Sequence, residues 1–594
     1  MQLIDKKELA FGRKGPLVRV ATGFLMSVLG LNRINRLYAR AAQGDGPPGA
    51  RILHHLGAAW TAGEHDLKNI PATGPAIVVA NHPTGLLDGI VLIDMLSRVR
   101  PDVRFMGNFL LDRIDYLKPY FIAVDPFDGA DRTKNMRGIR ACRKHLAADG
   151  MLVIFPAGEV ATWQKGFSQL RDKAWSPSVL RFIRNAAVPV VPVCIEARNS
   201  NLFHLAGKIT PLLRTALLPH ELNNKRGKMV TVNIGAPLTP KRTAALADAT
   251  VWNDYLRANV DYLTHKRRRK LRIIPARKPA ATIAEEITSG RERELLIAEL
   301  KAIRPAHLLF EYGTYDVFFA PSARIPNMMH EIGRMREVTF RQIGEGSMKS
   351  IDTDPYDEYY HQLFIWDRTG GALVGAYRMG MGREIIPRFG LEGFYTHSLF
   401  HYSPEMAPIL EKTIELGRSF ITAEYQRKAV SLMLLWKGIV YVLLKHDDYR
   451  NLLGPVTISG DFQASSKIII STHLQQHHFD PELAAWVHPV TGMKGINAAI
   501  DPALIRGVED IDLINKIVTD IERDEFSIPI LIRKYLQLNS HVLGFNVDHD
   551  FSDALDALML LDLKRVPENT ILMLSKEITD IDVLARFRSY HPGV

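Results

Sequence analysis

The stretch Asn81-His82-Pro83-Thr84-Gly85-Leu86-Leu87-Asp88 follows directly on the apolar run 76–80. The apolar run is typical of a buried strand, and the glycine marks a turn at its end. A histidine needs a carboxylate to hold its tautomer before it can take a proton from an alcohol that attacks a thioester. His82 and Asp88 supply both groups, so this stretch predicts acyl-transfer chemistry at the end of a strand.

Residues from about 70 to 240 resemble the glycerolipid acyltransferase family, which includes the 1-acylglycerol-3-phosphate acyltransferases. The family's Asn-His-x-x-x-x-Asp block, Phe-Pro-Glu-Gly-Thr-Arg-Ser block and Val-Pro-rich strand appear in order at 81–88, 155–161 and 188–193. The resemblance implies an N-terminal α/β domain in which His82 and Asp88 are catalytic. The residues that it implies for the acceptor site are Pro156, Gly158 and Glu159.

Three positions depart from the family pattern. Five residues rather than four separate His82 from Asp88, so a bulged turn must return the carboxylate to the imidazole. Val160 and Pro126 stand where the family has arginines that hold an acceptor phosphate. Without guanidinium groups a phosphate site loses its bidentate charged bonds. We therefore expect an acceptor lipid that carries no phosphate.

Glu159 has two interpretations. It can face an ammonium group on the acceptor, or it can cap a helix or pair with Lys165 or Lys173. For His82 and Asp88 the alternative is a purely structural pair. The Gly-rich turn and the downstream blocks argue against that alternative.

Length and charge predict two domains. At 594 residues the chain exceeds the size of a single core. Residues 1–280 carry a net charge of +22 and residues 281–594 one of −11, within a total of +11. The sign changes at the basic, Pro-containing stretch 264–279, which is typical of a linker. We expect a lysolipid O-acyltransferase-like domain at 1–275 and a second domain at 285–594.

The basic stretch and the N-terminus favour an anionic membrane surface as a partner. No aromatic-interleaved motif accompanies the basic run, which argues against nucleic acid. Residues 17–37 are apolar at near-helical spacing, but the charge-free part, 20–32, is shorter than the roughly 20 residues that cross a bilayer. We expect this segment to lie along the membrane interface, with packing onto its own domain as the alternative, and no transmembrane helix. The two cysteines, Cys142 and Cys194, exclude a disulfide framework and favour a peripheral protein on the cytoplasmic face of the inner membrane.

The second half has its own acyl-transfer pattern. A hairpin is predicted over 363–378, and a strand over 413–421 precedes a helix that begins near 429. Residues from about 325 to 460 resemble the GNAT superfamily, and within it the ornithine N-acyltransferases and hemolysin-like proteins. The resemblance implies a GNAT-like α/β domain. Its recurring charged positions, which imply a substrate site, are Arg336, Asp354, Asp357, Arg378, Glu415 and Arg418.

Glu415 is the candidate to accept the proton of an attacking amine, directly or through water. A structural ion pair between Glu415 and Arg418 is the alternative. An arginine of this set would suit the carboxylate of an amino-acid substrate.

The donor site departs from the superfamily. Its Gly-containing pyrophosphate loop is replaced by 426–431, which has no glycine, so the backbone cannot approach a pyrophosphate closely. An acyl carrier protein thioester has a single phosphate, and carrier proteins are acidic. Arg427, Lys428 and Lys437 would receive such a donor, with solvated helix charges as the alternative.

Together the halves resemble the bifunctional ornithine lipid synthases. The C-terminal domain would attach a 3-hydroxyacyl group to the α-amine of an amino acid, and the N-terminal domain would acylate the 3-hydroxyl of that lyso-lipid. The donors would be acyl carrier protein thioesters, and no cofactor or metal is expected, since His473, His477 and His478 read as a solvated cluster. The alternatives are a lysophospholipid acyltransferase with an unrelated C-terminal domain and a membrane-lytic protein.

Overall fold

The computed structural model describes residues 29–107, 115–124, 132–163, 170–266, 284–342, 346–498, 500–549, 551, 553–575, 582 and 585. The chain divides into two compact units. The first comprises the described part of 1–267 together with 497–527, and the second comprises the described part of 268–496 and 528–594. The predicted boundary at 275–285 falls mostly on residues outside this description and stays a prediction. The first unit thus contains a segment from the predicted second domain.

Both units contain a sheet, which confirms the predicted α/β class with two domains. The strands of the first unit are β1 (Ala59–Thr61), β2 (Ala76–Ala80), β3 (Val103–Gly107), β4 (Phe121–Ala123), β5 (Met151–Ile154), β6 (Thr162–Trp163), β7 (Leu170–Arg171), β8 (Val190–Glu196) and β9 (Met229–Ile234). Those of the second unit are β10 (Leu308–Tyr312), β11 (Tyr315–Pro321), β12 (His361–Asp367), β13 (Ala372–Met381), β14 (Phe400–Tyr402), β15 (Thr413–Ile421), β16 (Asn451–Ile458), β17 (Val487–Pro489), β18 (His541–Asp548) and β19 (Ala554–Asp562).

Helices surround both sheets. They are α1 (Leu31–Ala41), α2 (Pro48–Leu56), α3 (Glu64–Leu67), α4 (Leu86–Ser97), α5 (Arg132–Ala147), α6 (Pro177–Ala186), α7 (Asn201–Ile209), α8 (Pro211–Ala216), α9 (Leu218–Asn223), α10 (Pro240–Thr243), α11 (Ala249–Asp261), α12 (Arg293–His307), α13 (Pro326–Gln342), α14 (Gly382–Phe389), α15 (Ala407–Glu411), α16 (Ala429–Lys445), α17 (Ala464–His477), α18 (Pro481–Ala484), α19 (Ile511–Glu522), α20 (Ile530–Gln537) and α21 (Glu568–Leu574). Helix α19 belongs to the first unit.

The first sheet has the strand order β1-β9-β8-β2-β5-β3-β4. Strand β2 pairs in parallel with β5 and β8, and all five of its residues are buried because helices cover both faces of such a sheet. Ligands bind at the carboxyl ends of parallel strands in open α/β sheets. The stretch 81–88 lies at that end of β2 and leads into α4.

The second sheet has the order β10-β11-β12-β13-β15-β16-β19-β18. Its antiparallel β12–β13 pair confirms the predicted hairpin, and β15 followed by α16 confirms the predicted strand and helix. Strands β15 and β16 pair in parallel over only three residues, from Thr413↔Asn451 to Glu415↔Leu453. Beyond Glu415 the two strands separate, which opens the sheet.

Among the described residues, none of the helices is long and apolar enough to span a bilayer. Most of the predicted interfacial segment 17–37 lies outside the described residues, apart from its end in α1. Cys142 and Cys194 are unpaired and buried. Burial raises the pKa of the Cys142 thiol to about 12, which agrees with inert packing.

Candidate active sites

His82 and Asp88 meet at the amino end of α4. Asp88 lies in the first turn of α4, and its carboxylate accepts bonds from the backbone N–H groups of Thr84 and Gly85 at 2.8 and 2.9 Å. Gly85 adopts φ +87°, a conformation that a side chain would strain. This turn absorbs the extra residue of the motif and brings Asp88 Oδ2 to 3.0 Å from His82 Nδ1. The distance is that of an ion pair, although the ring N–H is not aimed along it.

The backbone and ring of His82 are held by other segments. Its ring stacks on Phe155 with 4.2 Å between centroids. Its N–H donates to Asp172 Oδ1 at 3.1 Å, and its carbonyl accepts from Ala161 N at 2.9 Å. Because Nδ1 faces Asp88, Nε2 is the nitrogen left to accept a proton from a substrate hydroxyl.

His82 lines a cavity of about 530 Å³ within the first unit. A cavity of this size with mostly apolar walls and few polar groups fits a hydrocarbon chain whose reactive end lies at His82. Its apolar lining includes Leu86, Ile90, Phe105, Phe121, Phe182 and Phe203.

Glu159 also lines this cavity and is paired within the chain. Lys173 Nζ lies 2.8 Å from one carboxylate oxygen, and Arg214 Nη2 lies 2.5 Å from the other. Burial alone would raise the pKa of Glu159, but the bonds from Lys173 and Arg214 hold it below its ordinary value. The pairing with Lys173 is one that the sequence suggested. The role of Glu159 toward an acceptor stays a prediction.

Arg214 is the residue of this site that the motifs missed. It is largely buried, lies on α8 and lines the cavity, whereas Val160 presents a buried apolar side chain there. Its charge is compensated by Glu159. Gly158 takes φ +66° in the turn after Phe155 and lines the cavity, and the Pro156 carbonyl accepts from Ser176 N at 3.0 Å. Pro126 lies outside the described residues.

Exposed apolar side chains flank the cavity, and we term them the apolar patch. Two of them, Leu202 and Leu205, project from the same helix, α7, as the cavity-lining Phe203. On α8, the exposed Thr215 lines the cavity, so the cavity reaches the surface there. The members of the patch and their exposures are Trp163 at 44%, Leu202 at 59%, Leu205 at 57% and Leu213 at 48%.

In the second unit, Glu415 is buried and fully bonded. It is 1% exposed and accepts from the hydroxyls of Tyr360 and Thr396 and from the backbone N–H groups of Tyr395 and Thr396, at 3.0 and 2.8 Å. Each carboxylate oxygen therefore has two donors. Direct contact between Glu415 and a substrate amine, which the sequence allowed, does not fit this burial. The alternative pair with Arg418 does not form either, since Arg418 faces Asp352 and Asp354.

The predicted charged residues form one network. Arg336 donates to both oxygens of Asp357 at 2.9 and 3.0 Å, and Arg378 donates to Asp354 at 2.6 Å. Burial alone would lower the pKa of Arg378, but Asp357 and Asp354 raise it above its ordinary value. Arg336 and Arg378 are nearly inaccessible and hold the network together, and neither is among the residues that line the cavity of this unit. Their role toward a substrate stays a prediction. Three rings lie 5.2–5.5 Å from the Arg378 guanidinium, those of Tyr356, Tyr360 and Tyr395.

Arg418 does reach a cavity of about 350 Å³. This cavity lies where β15 and β16 separate, and residues 416–419 and 455–457 line it. Arg418 has φ +47° at an irregularity in the β13–β15 pairing, which re-aims its side chain. Asp548 and Asp556 line the same cavity. A weaker continuation of the GNAT resemblance beyond residue 460 includes Asp548, whereas no motif marked Asp556.

The predicted donor cations separate. Arg427 and Lys428 are exposed where α16 begins, and Lys428 Nζ lies 4.1 Å from the Tyr425 ring. Lys437 is buried, with Nζ 5.4 Å from the Tyr312 ring. The expected landing surface of three cations is therefore wrong for Lys437, because nine residues of helix, about two and a half turns, place it on the opposite side from Lys428.

Within the described residues, no group of three or more His, Cys, Asp or Glu side chains is arranged to hold a metal ion. The predicted solvated histidine cluster is wrong for His473, which is fully buried against the rings of His477 and His478. His473 lies on the buried face of α17 and packs there as a core side chain.

Comparison with known proteins separates the chain in the same way. An acyltransferase family model matches residues 37–268, and an acetyltransferase (GNAT) domain model matches 335–437. The glycine N(alpha)-acyltransferase of Bacteroides thetaiotaomicron is 28% identical over 305 residues, which cover 48% of this chain and 88% of that protein. Its counterpart of the same name from Phocaeicola vulgatus is 26% identical over 306 residues, covering 48% and 91%. The lyso-glycine lipid O-acyltransferase of Phocaeicola vulgatus is 28% identical over 179 residues, covering 29% of this chain and 62% of that protein.

Proposed function

The chain is an acyltransferase with an acyltransferase domain and a GNAT domain, and we propose that it makes an amino-acid-containing membrane lipid in two consecutive steps. The second unit N-acylates an amino acid with a 3-hydroxyacyl group, and the first unit O-acylates the 3-hydroxyl of that lyso-lipid. The observation that carries this proposal is the His82–Asp88 pair at an apolar cavity, in a chain that holds a second cavity between separated strands. The relatives' names, an N-acyltransferase and a lyso-lipid O-acyltransferase, support it.

In the O-acylation step, His82 Nε2 removes the proton of the lyso-lipid hydroxyl as its oxygen attacks the thioester carbonyl. The carbon–sulfur bond then breaks, and the proton leaves with the thiol. Asp88 stabilises the imidazolium that forms between these events, while its own charge is held by backbone N–H groups. An acyl chain occupies the cavity beside Leu86 and Phe105.

In the N-acylation step, the neutral amine attacks the carbonyl of a thioester whose pantetheine arm enters the gap between β15 and β16. A carbon–nitrogen bond forms, the carbon–sulfur bond breaks, and the proton lost by the amine leaves with the thiol of the pantetheine arm. Arg418 pairs with the carboxylate of the amino acid, because it is the arginine of the network that lines this cavity. Glu415 positions Tyr360 and Tyr395 and does not touch the amine. Asp548 and Asp556 would suit a side-chain ammonium, so we favour ornithine over glycine as the substrate.

An acyl carrier protein is the donor that we propose. Arg427 and Lys428 are exposed at the amino end of α16, where an acidic carrier would place its single phosphate. The absence of glycine from 426–431 supports this choice over acyl-coenzyme A.

The site of action that we propose is the cytoplasmic face of an anionic membrane. The apolar patch flanks the surface opening of the O-acylation cavity, so its insertion would place that opening among lipid chains. The positive charge of residues 1–280 adds attraction to anionic lipid.

The experiment is product analysis with the purified full chain. We would supply 3-hydroxyacyl carrier protein, a second acyl carrier protein thioester, and ornithine, lysine or glycine in separate reactions, and identify products by mass spectrometry. We expect a doubly acylated ornithine and less product from glycine. Transfer to lysophosphatidic acid without any N-acylation would support a lysophospholipid acyltransferase and contradict the proposal.

A further inference from the structure

Residues 497–527 lie between elements of the second unit in the chain but are built into the first. The buried hydroxyl of Tyr255 on α11 donates to the carbonyl of Leu513 at 3.2 Å. Leu513, Ile514, Ile517, Val518 and Ile521 bury one apolar face of α19. If the segment were absent, the Tyr255 hydroxyl would lose this acceptor, and an unsatisfied buried donor destabilises the fold.

A buried ionic cluster fixes where this segment docks. Lys516 Nζ donates to Asp520 Oδ2 at 2.6 Å and to Asn259 Oδ1 on α11 at 3.0 Å. Asp520 in turn accepts from Ala236 N at 3.2 Å. Burial lowers the pKa of Lys516, so its charge is tolerated only with these partners in place. These buried pairs therefore fix the position in which the segment docks.

The segment also reaches the support of His82. Asp501 Oδ2 lies 3.2 Å from Arg171 Nη1, and the Asp501 carbonyl accepts from the Tyr262 hydroxyl at 2.5 Å. Arg171 ends β7, and the next residue, Asp172, is the acceptor for the His82 N–H. The β6–β7 hairpin begins beside Ala161, whose N–H donates to the His82 carbonyl. The residues that flank this hairpin thus bond both the N–H and the carbonyl of His82, and Asp501 pairs with Arg171 at the end of its second strand, β7.

We propose that residues 497–527 contribute to the O-acylation reaction of the first unit and that Asp501 is a positioning residue for His82. The inference rests on the proposed function of the first unit. It assigns to a segment encoded within the second half a role in the reaction of the first half. Small displacements of a catalytic base lower the rate more than they lower binding, because the reacting atoms must be held in a narrow geometry. The N-acylation reaction should not depend on this contact.

The test uses the full chain and measures the two reactions separately, with supplied lyso-lipid for O-acylation and supplied amino acid for N-acylation. Asp501→Asn keeps the carbonyl that Tyr262 uses and an oxygen for the Ala503 N–H, so it removes mainly the charge that faces Arg171. We expect kcat for O-acylation to fall about fivefold, which corresponds to about 1 kcal/mol, with the KM for lyso-lipid and the N-acylation rate unchanged. Asp510→Asn is the matched control, because Asp510 caps α19 in the same segment and is exposed.

A charge exchange, Asp501→Arg with Arg171→Asp, distinguishes positioning from a general loss of folding. We expect it to recover most of the kcat that Arg171→Asp alone removes. Unchanged O-acylation in Asp501→Asn, or an equal fall in both reactions, would overturn the inference. A wild-type chain that acylates no lyso-lipid at all would instead contradict the proposed function.

Discussion

Arg418 and Glu415 lie three residues apart on β15, and their side chains contact different partners. The Arg418 guanidinium lies 3.6 Å from Asp352, while Glu415 is enclosed by four hydrogen-bond donors. Side chains an odd number of residues apart on a regular strand point to opposite faces, and Arg418 itself takes φ +47° at the irregularity in the β13–β15 pairing, which sets the direction of its side chain. Their roles are therefore separate, with Glu415 holding the tyrosines and Arg418 facing the cavity.

Removal of Arg418 should weaken amino-acid binding. A charged hydrogen bond contributes about 1.5–3 kcal/mol, so Arg418→Ala should raise the KM for the amino acid by roughly 10- to 100-fold. The KM of Arg418→Lys should lie between those of the wild-type chain and Arg418→Ala. The measurement is steady-state N-acylation, with Arg388→Ala, an exposed arginine of the same unit, as control. An unaltered KM in Arg418→Ala would remove this residue from the substrate site.

Loss of the His82 base should stop the second acylation alone. General-base catalysis contributes about 10²–10⁴-fold, so His82→Ala should accumulate the N-acylated lyso-lipid while the doubly acylated product disappears. Asp88→Asn should act in the same direction, because it leaves the imidazole poorly oriented. Lipid mass spectrometry of producing cells is the readout, with the exposed His55→Ala as control. Normal amounts of the doubly acylated lipid in His82→Ala would refute the assignment.

Asp172 should make the stability of the first unit depend on pH. Burial, with a smaller contribution from Asp261, raises the pKa of Asp172 from 3.8 to about 7. The folded state then holds a proton that the unfolded chain releases, so this contribution to stability is complete below about pH 4 and is lost as the pH rises through about 7. Asp172→Asn should flatten that decline, and amide hydrogen exchange of β2 at pH 5 and pH 8 measures it. Equal slopes in wild type, Asp172→Asn and the exposed control Asp45→Asn would contradict the buried proton.

The apolar patch should bind bilayers. Burial of a leucine side chain contributes about 1.5–3 kcal/mol, so Leu202→Ser with Leu205→Ser should weaken binding to anionic vesicles by at least about tenfold. O-acylation of vesicle-borne lyso-lipid should fall in parallel. Leu295→Ser changes an exposed leucine of the second unit and serves as control. If vesicle co-sedimentation is the same for both variants, the patch has another partner.

Arg427 and Lys428 should determine donor use. Reversal of both to Glu should raise the KM for an acyl carrier protein about tenfold and remove its dependence on ionic strength, since exposed charges are screened within about 8 Å at physiological salt. Lys301→Glu, which changes an exposed lysine of α12, is the control. Equal use of acyl-coenzyme A by the wild-type chain, without a salt effect, would argue for a different donor.

Sequence patterns predicted the features that are formed by residues close together in the chain. The His82–Asp88 pair lies within one turn, and the β12–β13 hairpin within one short range, so motif and periodicity located both. The family pattern also brought Arg336, Arg378 and their carboxylates into one network. It could not show that Arg336 is inaccessible, because burial depends on the whole sheet.

Contacts between distant segments escaped prediction. Arg214 meets Glu159 across 55 residues, and Asp172 meets His82 across 90, with no motif that marks either. Lys437 is a different case, since its distance from Lys428 along a helix by itself places the two side chains on opposite sides. The docking of residues 497–527 depends on a partner face that only the folded first unit presents.

That docking has a consequence for synthesis. The nascent first unit emerges from the ribosome with α11 complete but without the segment that covers Tyr255. At roughly 5–20 residues per second, the interval before residue 497 appears is on the order of 10–50 s. During that time apolar surface on α11 stays open to chaperones and to other nascent chains. The first unit reaches its final form only after most of the second unit has been translated.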